Sequence, residues 1–352
     1  MASRIQTNAD EGDPDEEIVL EVRDANVSFD MSRGESRVLR DVDLQVQRGE
    51  TLGIVGESGS GKSMLASAML DAVVDPGQLS GEVTFYPDEG EPVDVLSLSE
   101  REQTELRWNE ISFVIQAAQS AFNPTMTVGA HFEETLRAHD RDVSEGMATA
   151  TELLEDLYLP ADQVLRSHPH ELSGGQKQRA LIALSLILEP SVLVMDEPTA
   201  ALDLLMQRSI ISLLADLKEK YDLTLVFVTH DLPLVADIAD RLAVMYAFEL
   251  AEVGPTDAVV EDPAHPYTRA LLKAVPNVSD EEIEVAGISG ASPDPVNVPE
   301  GCSYHPRCPL ADEECRREDP EFRSAGEDHE VTCFHWEDAA DEIPLDTGGN
   351  DE

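Results

Sequence analysis

Residues 56–63 read Gly-Glu-Ser-Gly-Ser-Gly-Lys-Ser, between an apolar run, Thr51–Val55, and a helix-forming run, Met64–Leu70. Strand, glycine-rich loop and helix in that order give the pattern G-x-x-x-x-G-K-[ST] its meaning. It is a loop whose backbone N–H groups wrap the phosphates of a nucleotide. The same context commits this part of the chain to an α/β fold. Gly59 and Gly61 let the backbone come close to a ligand where a Cβ would collide. Lys62 can reach the outer phosphates, and the Ser63 hydroxyl is suited to Mg²⁺. Gly56, Glu57, Ser58, Gly59, Ser60, Gly61, Lys62 and Ser63 therefore form the first candidate site.

A second glycine-rich turn, Leu172-Ser-Gly-Gly-Gln176, opens onto the apolar run Ala180–Leu188. N–H groups at a helix start suit an anion. Ser173 and Gln176 also have the spacing of a capping box, which needs no ligand. That reading leaves Gly174 and Gly175 unexplained, since glycines weaken a helix start. The next segment decides for the anion. Val192–Met195 is a short continuous apolar run, as in a buried parallel strand. Asp196 and Glu197 follow at its C-terminal end, where α/β sheets place their ligands. Asp196 is suited to hold Mg²⁺, directly or through water. Glu197 can point at a water attacking a γ-phosphate, a role worth about 10²–10⁴-fold in rate. Alone, an Asp-Glu pair after a strand would be a cap or turn. A further strand, Leu223–Val228, ends at Thr229-His230-Asp231. His230 can there contact the γ-phosphate; by itself it would be a surface histidine in a turn.

With these elements in this order, the chain resembles the ATP-binding subunit of an ABC transporter. Phe29 is similar to the aromatic that stacks on adenine, Gly56–Ser63 to Walker A, and Gln116 to the Q-loop glutamine. Leu172–Gln176 match the signature motif, Val192–Asp196 match Walker B, Ala201-Leu-Asp203 match the D-loop, and His230 matches the switch histidine. The resemblance covers roughly residues 18–255. It implies a P-loop cassette with a RecA-like parallel sheet, an antiparallel β subdomain, and a helical signature subdomain at about 117–180. It assigns Glu197, His230 and Lys62 to catalysis and Ser63, Gln116 and Asp196 to Mg²⁺. It also implies a head-to-tail dimer, in which Ser173, Gly174, Gly175, Gln176 and Asp203 act on the ATP of a second cassette. Both ends of the triphosphate would then meet preorganised donors. Two departures stand out: Ala117 and Ala118 follow Gln116 where the family places an acid and a proline, and Ala200 stands where Ser or Thr is usual.

Local patterns place further elements. Ala148–Tyr158 is a helix with Leu153, Leu154, Leu157 and Tyr158 on one face. Arg241–Val253 suggests a hairpin closing the core. Residues 1–17 read as a disordered acidic arm and 337–352 as a disordered acidic tail.

Charge bounds the partners. Asp and Glu number 72 against 24 Lys and Arg, a formal net charge of −48. This argues against nucleic acid or anionic lipid as a direct partner. Acids are also scattered through the folded motifs, so the tails are not the whole account. At molar ionic strength the Debye length is about 3 Å and self-repulsion is screened. The composition resembles that of extreme halophiles, with ordinary acidic solubility as the alternative. Folding is expected to need high salt. No stretch approaches the roughly 18 apolar residues of a membrane span, and Met1–Asp10 contain no apolar signal. The chain is expected on the cytoplasmic side of the membrane, held peripherally through a partner.

Residues 256–336 read as an extension. His265-Pro-Tyr-Thr-Arg-Ala-Leu271 is physically a Pro-started amphipathic helix. It is similar to the extension of the oligopeptide, dipeptide and nickel importer subfamily. That resemblance implies a peptide importer, with nickel or another small solute as the alternative cargo. It also implies two transmembrane permease subunits, a second ATPase subunit (a copy or a paralogue) and an extracellular solute-binding protein. A non-transport cassette acting on nucleic acid or ribosomes would call for a coiled-coil insert or basic patches. All four cysteines, Cys302, Cys308, Cys315 and Cys333, lie in this region. Four thiolates can ligate a metal, and the spacing is not that of a zinc ribbon. Peptide-importer ATPases that this chain resembles carry such a set, and a [4Fe–4S] cluster is implied there. Zinc remains the alternative, with His305, His329 or His335 as substitute ligands. Nothing in the sequence ties this segment to the nucleotide motifs.

Overall fold

The computed structural model describes residues 18–115, 121–200, 202–274, 288 and 290–345. The 1–17 arm, Gln116, Ala117, Ala118, Ala201 and the end of the acidic tail lie outside them. A first sheet is antiparallel, with β1 (Ile18–Met31), β2 (Gly34–Gln47), β4 (Gln78–Phe85) and β5 (Val93–Asp94) in the order β2-β1-β4-β5. In the second half of β2 buried and exposed residues alternate, as in a sheet covered on one face.

The second sheet carries the site. It contains β3 (Thr51–Val55), β6 (Ile111–Val114), β7 (Val192–Asp196), β8 (Thr224–Val228), β9 (Arg241–Tyr246) and β10 (Glu249–Pro255), with β11 (Arg323–Gly326) and β12 (His329–Val331) at one edge. The order is β11-β12-β10-β9-β3-β8-β7-β6. The run from β9 to β6 is parallel, and β10, β12 and β11 continue it antiparallel. Every residue of β3, β7 and β8 is buried, because both faces of this sheet are covered. Alternate residues serve two cores. Leu193, Met195, Leu225, Phe227, Leu242 and Val244 face the helices. Val192, Val194, Val226, Val228, Ala243 and Met245 face β1, β2 and α1 (Lys62–Ala68).

After α2 (Glu100–Asn109) and β6, four helices precede β7: α3 (Val128–Ala138), α4 (Val143–Asp156), α5 (Ala161–Arg166) and α6 (Gly174–Ser185). Asp142 caps α4 by accepting from the Glu145 amide, and Leu153, Leu154 and Leu157 are buried. Tyr158 is not on that face. It follows the helix at φ 53° and is 75% exposed, because the chain turns left-handed there to enter α5. Then come α7 (Leu204–Tyr221), α8 (Leu232–Ala236), α9 (Thr256–Glu261), α10 (Pro266–Lys273) and α11 (Ala339–Glu342).

The expected hairpin is β9–β10, but the sheet does not end with it. β12 pairs with β10 through Glu252 and Val331. The first part of the expected acidic tail is folded: Ala339 and Ile343 are buried, and the Ile343 carbonyl accepts from Arg269. These few apolar contacts outweigh the acidic composition that suggested disorder.

Candidate nucleotide site

The parallel strands end side by side, and their C-terminal ends carry the candidate residues. The P-loop follows β3. Gly56, Gly59 and Gly61 have φ of 151°, 82° and 108°. A Cβ on Gly56 would run into the Met245 carbonyl, and one on Gly61 would lie 2.8 Å from the Val38 carbonyl. Gly59 opens on free space, so its positive φ alone requires glycine there. Among the described residues the amides of Ser58, Gly59, Gly61, Lys62 and Ser63 have no protein acceptor, and the buried Ser60 hydroxyl has no partner. Donors without acceptors lining a cradle fit a polyanion. Lys62 is buried, and its ammonium donates to the carbonyls of Gly56 and Glu57 at 2.9 and 2.8 Å. Burial lowers its pKa, against the pull of Glu197, Asp196 and Glu57.

Ser63 Oγ donates to Asp196 Oδ1 at 2.9 Å, tying the P-loop to the end of β7. Burial raises the Asp196 pKa, opposed by that bond and reinforced by neighbouring Glu197. A hydroxyl and a carboxylate in contact beside the unpaired amides fit a hard cation with oxygen ligands. Glu197 takes φ 45°, and its amide donates to the Val228 carbonyl at 2.9 Å, which turns its side chain out of the strand. Its Oε1 accepts from His230 Nδ1 at 3.0 Å. Lys62, Ser63, Asp196, Glu197 and His230 are thus gathered at one sheet edge. Phe29 stays apart in β1, half-buried and close to Gly77.

Ser173–Gln176 start α6. Ser173 accepts from the Gln176 amide at 3.3 Å, and Gln176 Oε1 accepts from the Ser173 amide at 2.9 Å, so the capping box is formed. The helix start packs on α7: Gly175 leaves room for the Met206 side chain. Asp203 caps α7, accepting from the Met206 amide at 3.0 Å. Among the described residues no hydrogen bond joins 173–176 to the P-loop.

Comparison with known proteins gives this geometry a family. The ABC transporter profile matches residues 39–200, and the profile "Oligopeptide/dipeptide transporter, C-terminal region" matches residues 251–315. The dipeptide transport ATP-binding protein of Caldanaerobacter subterraneus subsp. tengcongensis is 41% identical over 325 residues, 91% of this chain and 98% of that protein. The chain belongs to the ATP-binding subunits of oligopeptide and dipeptide ABC transporters. The oligopeptide transport ATP-binding protein of Salmonella typhimurium is 39% identical over 305 residues, 86% of this chain and 90% of the relative. Among solved structures the dimeric ABC transporter cassette MJ0796 superposes with a TM-score of 0.58 at 29% identity, over 67% of this chain and 98% of that one. It is also known as a post-hydrolysis dimer bound to ADP and Pi.

The ATP-binding subunit's four cysteines come together, with Cys315 and Cys333 buried and Cys302 and Cys308 half-buried. The Cys302 amide donates to the Cys315 carbonyl at 2.9 Å. Burial raises every thiol, Cys302 and Cys333 to about 12 and Cys308 to about 11; the charge of the other thiols adds to it at these three, and that of the Asp312 carboxylate at Cys315. Four cysteines in one folded segment are a donor set that fits a group binding them as thiolates. Among the described residues no three cysteine sulfurs lie within 4.8 Å of one another. Zinc held by four thiolates would need about 3.8 Å between sulfurs, from Zn–S bonds of about 2.3 Å. Asp312, Cys315 and His335 do cluster within that limit, and His335 Nε2 lies 3.2 Å from Asp312. His329 is engaged elsewhere, donating to buried Glu252 at 2.7 Å. His305 Nδ1 lies 3.0 Å from the Cys302 carbonyl.

Two P-loop neighbours were not evident from sequence. The Glu57 amide donates to Tyr267 Oη at 2.8 Å, and its carboxylate accepts from Arg307 at 2.7 and 3.1 Å. The cysteine segment is therefore tied to the nucleotide motifs, contrary to the sequence reading. Tyr267 lay inside the His-Pro-Tyr-Thr-Arg stretch, where a signal existed. Arg307 had none beyond its place among the cysteines, 250 residues from Glu57.

Proposed function

We infer that the chain is the ATP-hydrolysing subunit that powers import of dipeptides or oligopeptides. The agreement of two separate matches, cassette and C-terminal region, carries that reading. The P-loop amides would take phosphate oxygens, with Lys62 turning from the two carbonyls onto the outer phosphates. Phe29 would stack on adenine. Glu197 would polarise the attacking water, and His230, already bonded to Glu197, would meet the γ-phosphate. Ser63 and Asp196, with Gln116, would hold Mg²⁺, which neutralises charge across the outer phosphates.

The signature turn is the unfinished part. Its freedom from the P-loop of its own chain supports a role for Ser173, Gly174, Gly175, Gln176 and Asp203 at the nucleotide of a second cassette. Hydrolysis would then remove the contacts that hold two cassettes together. The partners in this reading are that second cassette, two permease subunits and, through them, an extracellular solute-binding protein. Among the described residues no helix is long and apolar enough to cross a membrane. In this reading the chain attaches peripherally, through the permease, at the cytoplasmic face. The functional division is a cassette at 18–255 and an extension at 256–336. The four thiols would hold a [4Fe–4S] cluster in preference to zinc. The charge of −48 supports a halophilic origin, with a melting temperature that falls steeply from molar KCl to dilute buffer.

The function is tested in vesicles containing the ATPase, its permease pair and peptide-loaded binding protein. Hydrolysis should rise several-fold on adding peptide and vanish with Lys62→Ala. A rate indifferent to both would overturn the assignment.

A further inference from the structure

Glu57 is held at three points. Its amide donates to Tyr267 Oη, its carbonyl accepts from Lys62 Nζ, and its carboxylate receives both terminal nitrogens of Arg307. The Arg307 side chain is only 5% exposed and that of Glu57 is 24% exposed. Arg307 also donates to the Ile288 carbonyl at 3.2 Å and lies over the Tyr246 ring, 5.6 Å from its centroid. Tyr246, Tyr267 and Tyr304 pack on one another with centroids 4.5, 5.1 and 5.5 Å apart. Both contributors belong to the extension. Tyr267 is in the first turn of α10, whose N-terminus His265 caps by accepting from the Tyr267 amide at 2.9 Å. Arg307 stands between Cys302 and Cys308 in a tight turn, with Arg307 N–H to Tyr304 and Cys308 N–H to His305.

The Glu57 peptide could otherwise rotate, because glycines at 56, 59 and 61 leave the loop little intrinsic shape. Rotation of the Gly56–Glu57 peptide would take the Glu57 amide off Tyr267 and the Gly56 carbonyl off Lys62, and so change the shape of the loop where the cradle begins. A tyrosine hydroxyl on one side of the peptide and a planar two-pronged guanidinium on the carboxylate forbid that rotation. A buried ion pair is a poor source of net stability, so its more natural effect is on which shape the loop keeps.

We propose that Tyr267 and Arg307 are positioning residues for the nucleotide. They hold the P-loop in its phosphate-accepting shape and make nucleotide affinity depend on the folding of the cysteine segment. This rests on the P-loop being the nucleotide site. Binding of Mg·ADP to the full chain in molar KCl, together with steady-state ATPase kinetics, tests it. Arg307→Met should raise the ADP Kd and the ATP KM about ten-fold while kcat changes less than three-fold. Tyr267→Phe keeps the hydroxyl-free ring packing and should raise Kd by a smaller factor. Arg307→Lys, which cannot bond in two-pronged fashion, should recover only part of the loss. Cys308→Ala, which loosens the turn bearing Arg307, should raise Kd without affecting a variant that already lacks Arg307. Wild-type Kd in Arg307→Met, or a loss confined to kcat, overturns the proposal. Wild-type Kd in Cys308→Ala removes the dependence on the cysteine segment. Failure of the unaltered chain to bind ADP would instead sink the site itself.

Discussion

Two glycine-rich turns in this chain look alike in sequence and are treated oppositely by the fold. The P-loop, 56–63, is enclosed: Met245 and Val38 crowd its glycines, Asp196 takes Ser63, and Arg307 and Tyr267 hold Glu57. The signature turn, 173–176, satisfies itself through Ser173 and Gln176, and Gly175 leaves room for Met206 of α7. One turn is a finished cradle within a single chain. The other is a stiff edge that caps itself.

The largest effect should come from the enclosed side. Glu197→Gln should lower turnover by about 10²–10⁴-fold or more while ADP binding stays within a few-fold, since Glu197 leaves the cradle amides untouched. Steady-state ATPase with parallel titration calorimetry measures both. Unchanged turnover would remove Glu197 from catalysis and weaken the case that this edge is the reacting one.

A second effect concerns what supports the enclosure. His265 is buried and accepts from the Tyr267 amide, so it must be neutral, and burial pushes its pKa down to about 4. Unfolded histidine titrates near 6.5, so between pH 6.5 and 4 the unfolded chain binds the extra proton. Acidification through that window should cost about 3 kcal/mol of stability from this residue. Glu249, raised to about 7 by burial, acts with the opposite sign between about 4.5 and 7. The wild-type curve alone therefore understates the effect. The melting-temperature gap between wild type and His265→Gln isolates it: wide at pH 7, closing toward pH 4. A gap that does not change with pH would mean that His265 is not held neutral.

The smallest change probes the self-capped turn. Ser173→Ala should cost about 1 kcal/mol by removing the cap. If the turn also meets a neighbour's nucleotide, turnover per folded molecule should fall at least about ten-fold, as when one transition-state donor is lost. ADP affinity of the variant should be that of the parent. A lower melting temperature with full turnover would make Ser173 a cap and nothing more.

The same contrast explains what could be read in advance. The P-loop, the Asp196-Glu197 pair and His230 each follow an apolar run directly, so strand ends bring them to one sheet edge once the α/β pattern is seen. The capping box at Ser173 was legible because its two halves are three residues apart. The grip of Arg307 on Glu57 was not, since it joins segments 250 residues apart and no local pattern announces it. Nor was the addition of β12 to β10, which depends on an open sheet edge. Tyr158 misled because helical periodicity does not reveal where a helix stops.

Sedimentation velocity of Glu197→Gln in molar KCl tests the central claim most directly, alone and mixed with a second ATP-binding subunit from the same organism. Mg·ATP should produce a faster-sedimenting two-cassette species that disappears when Lys62→Ala is added. Saturating bound ATP with no such species in either mixture would contradict the account.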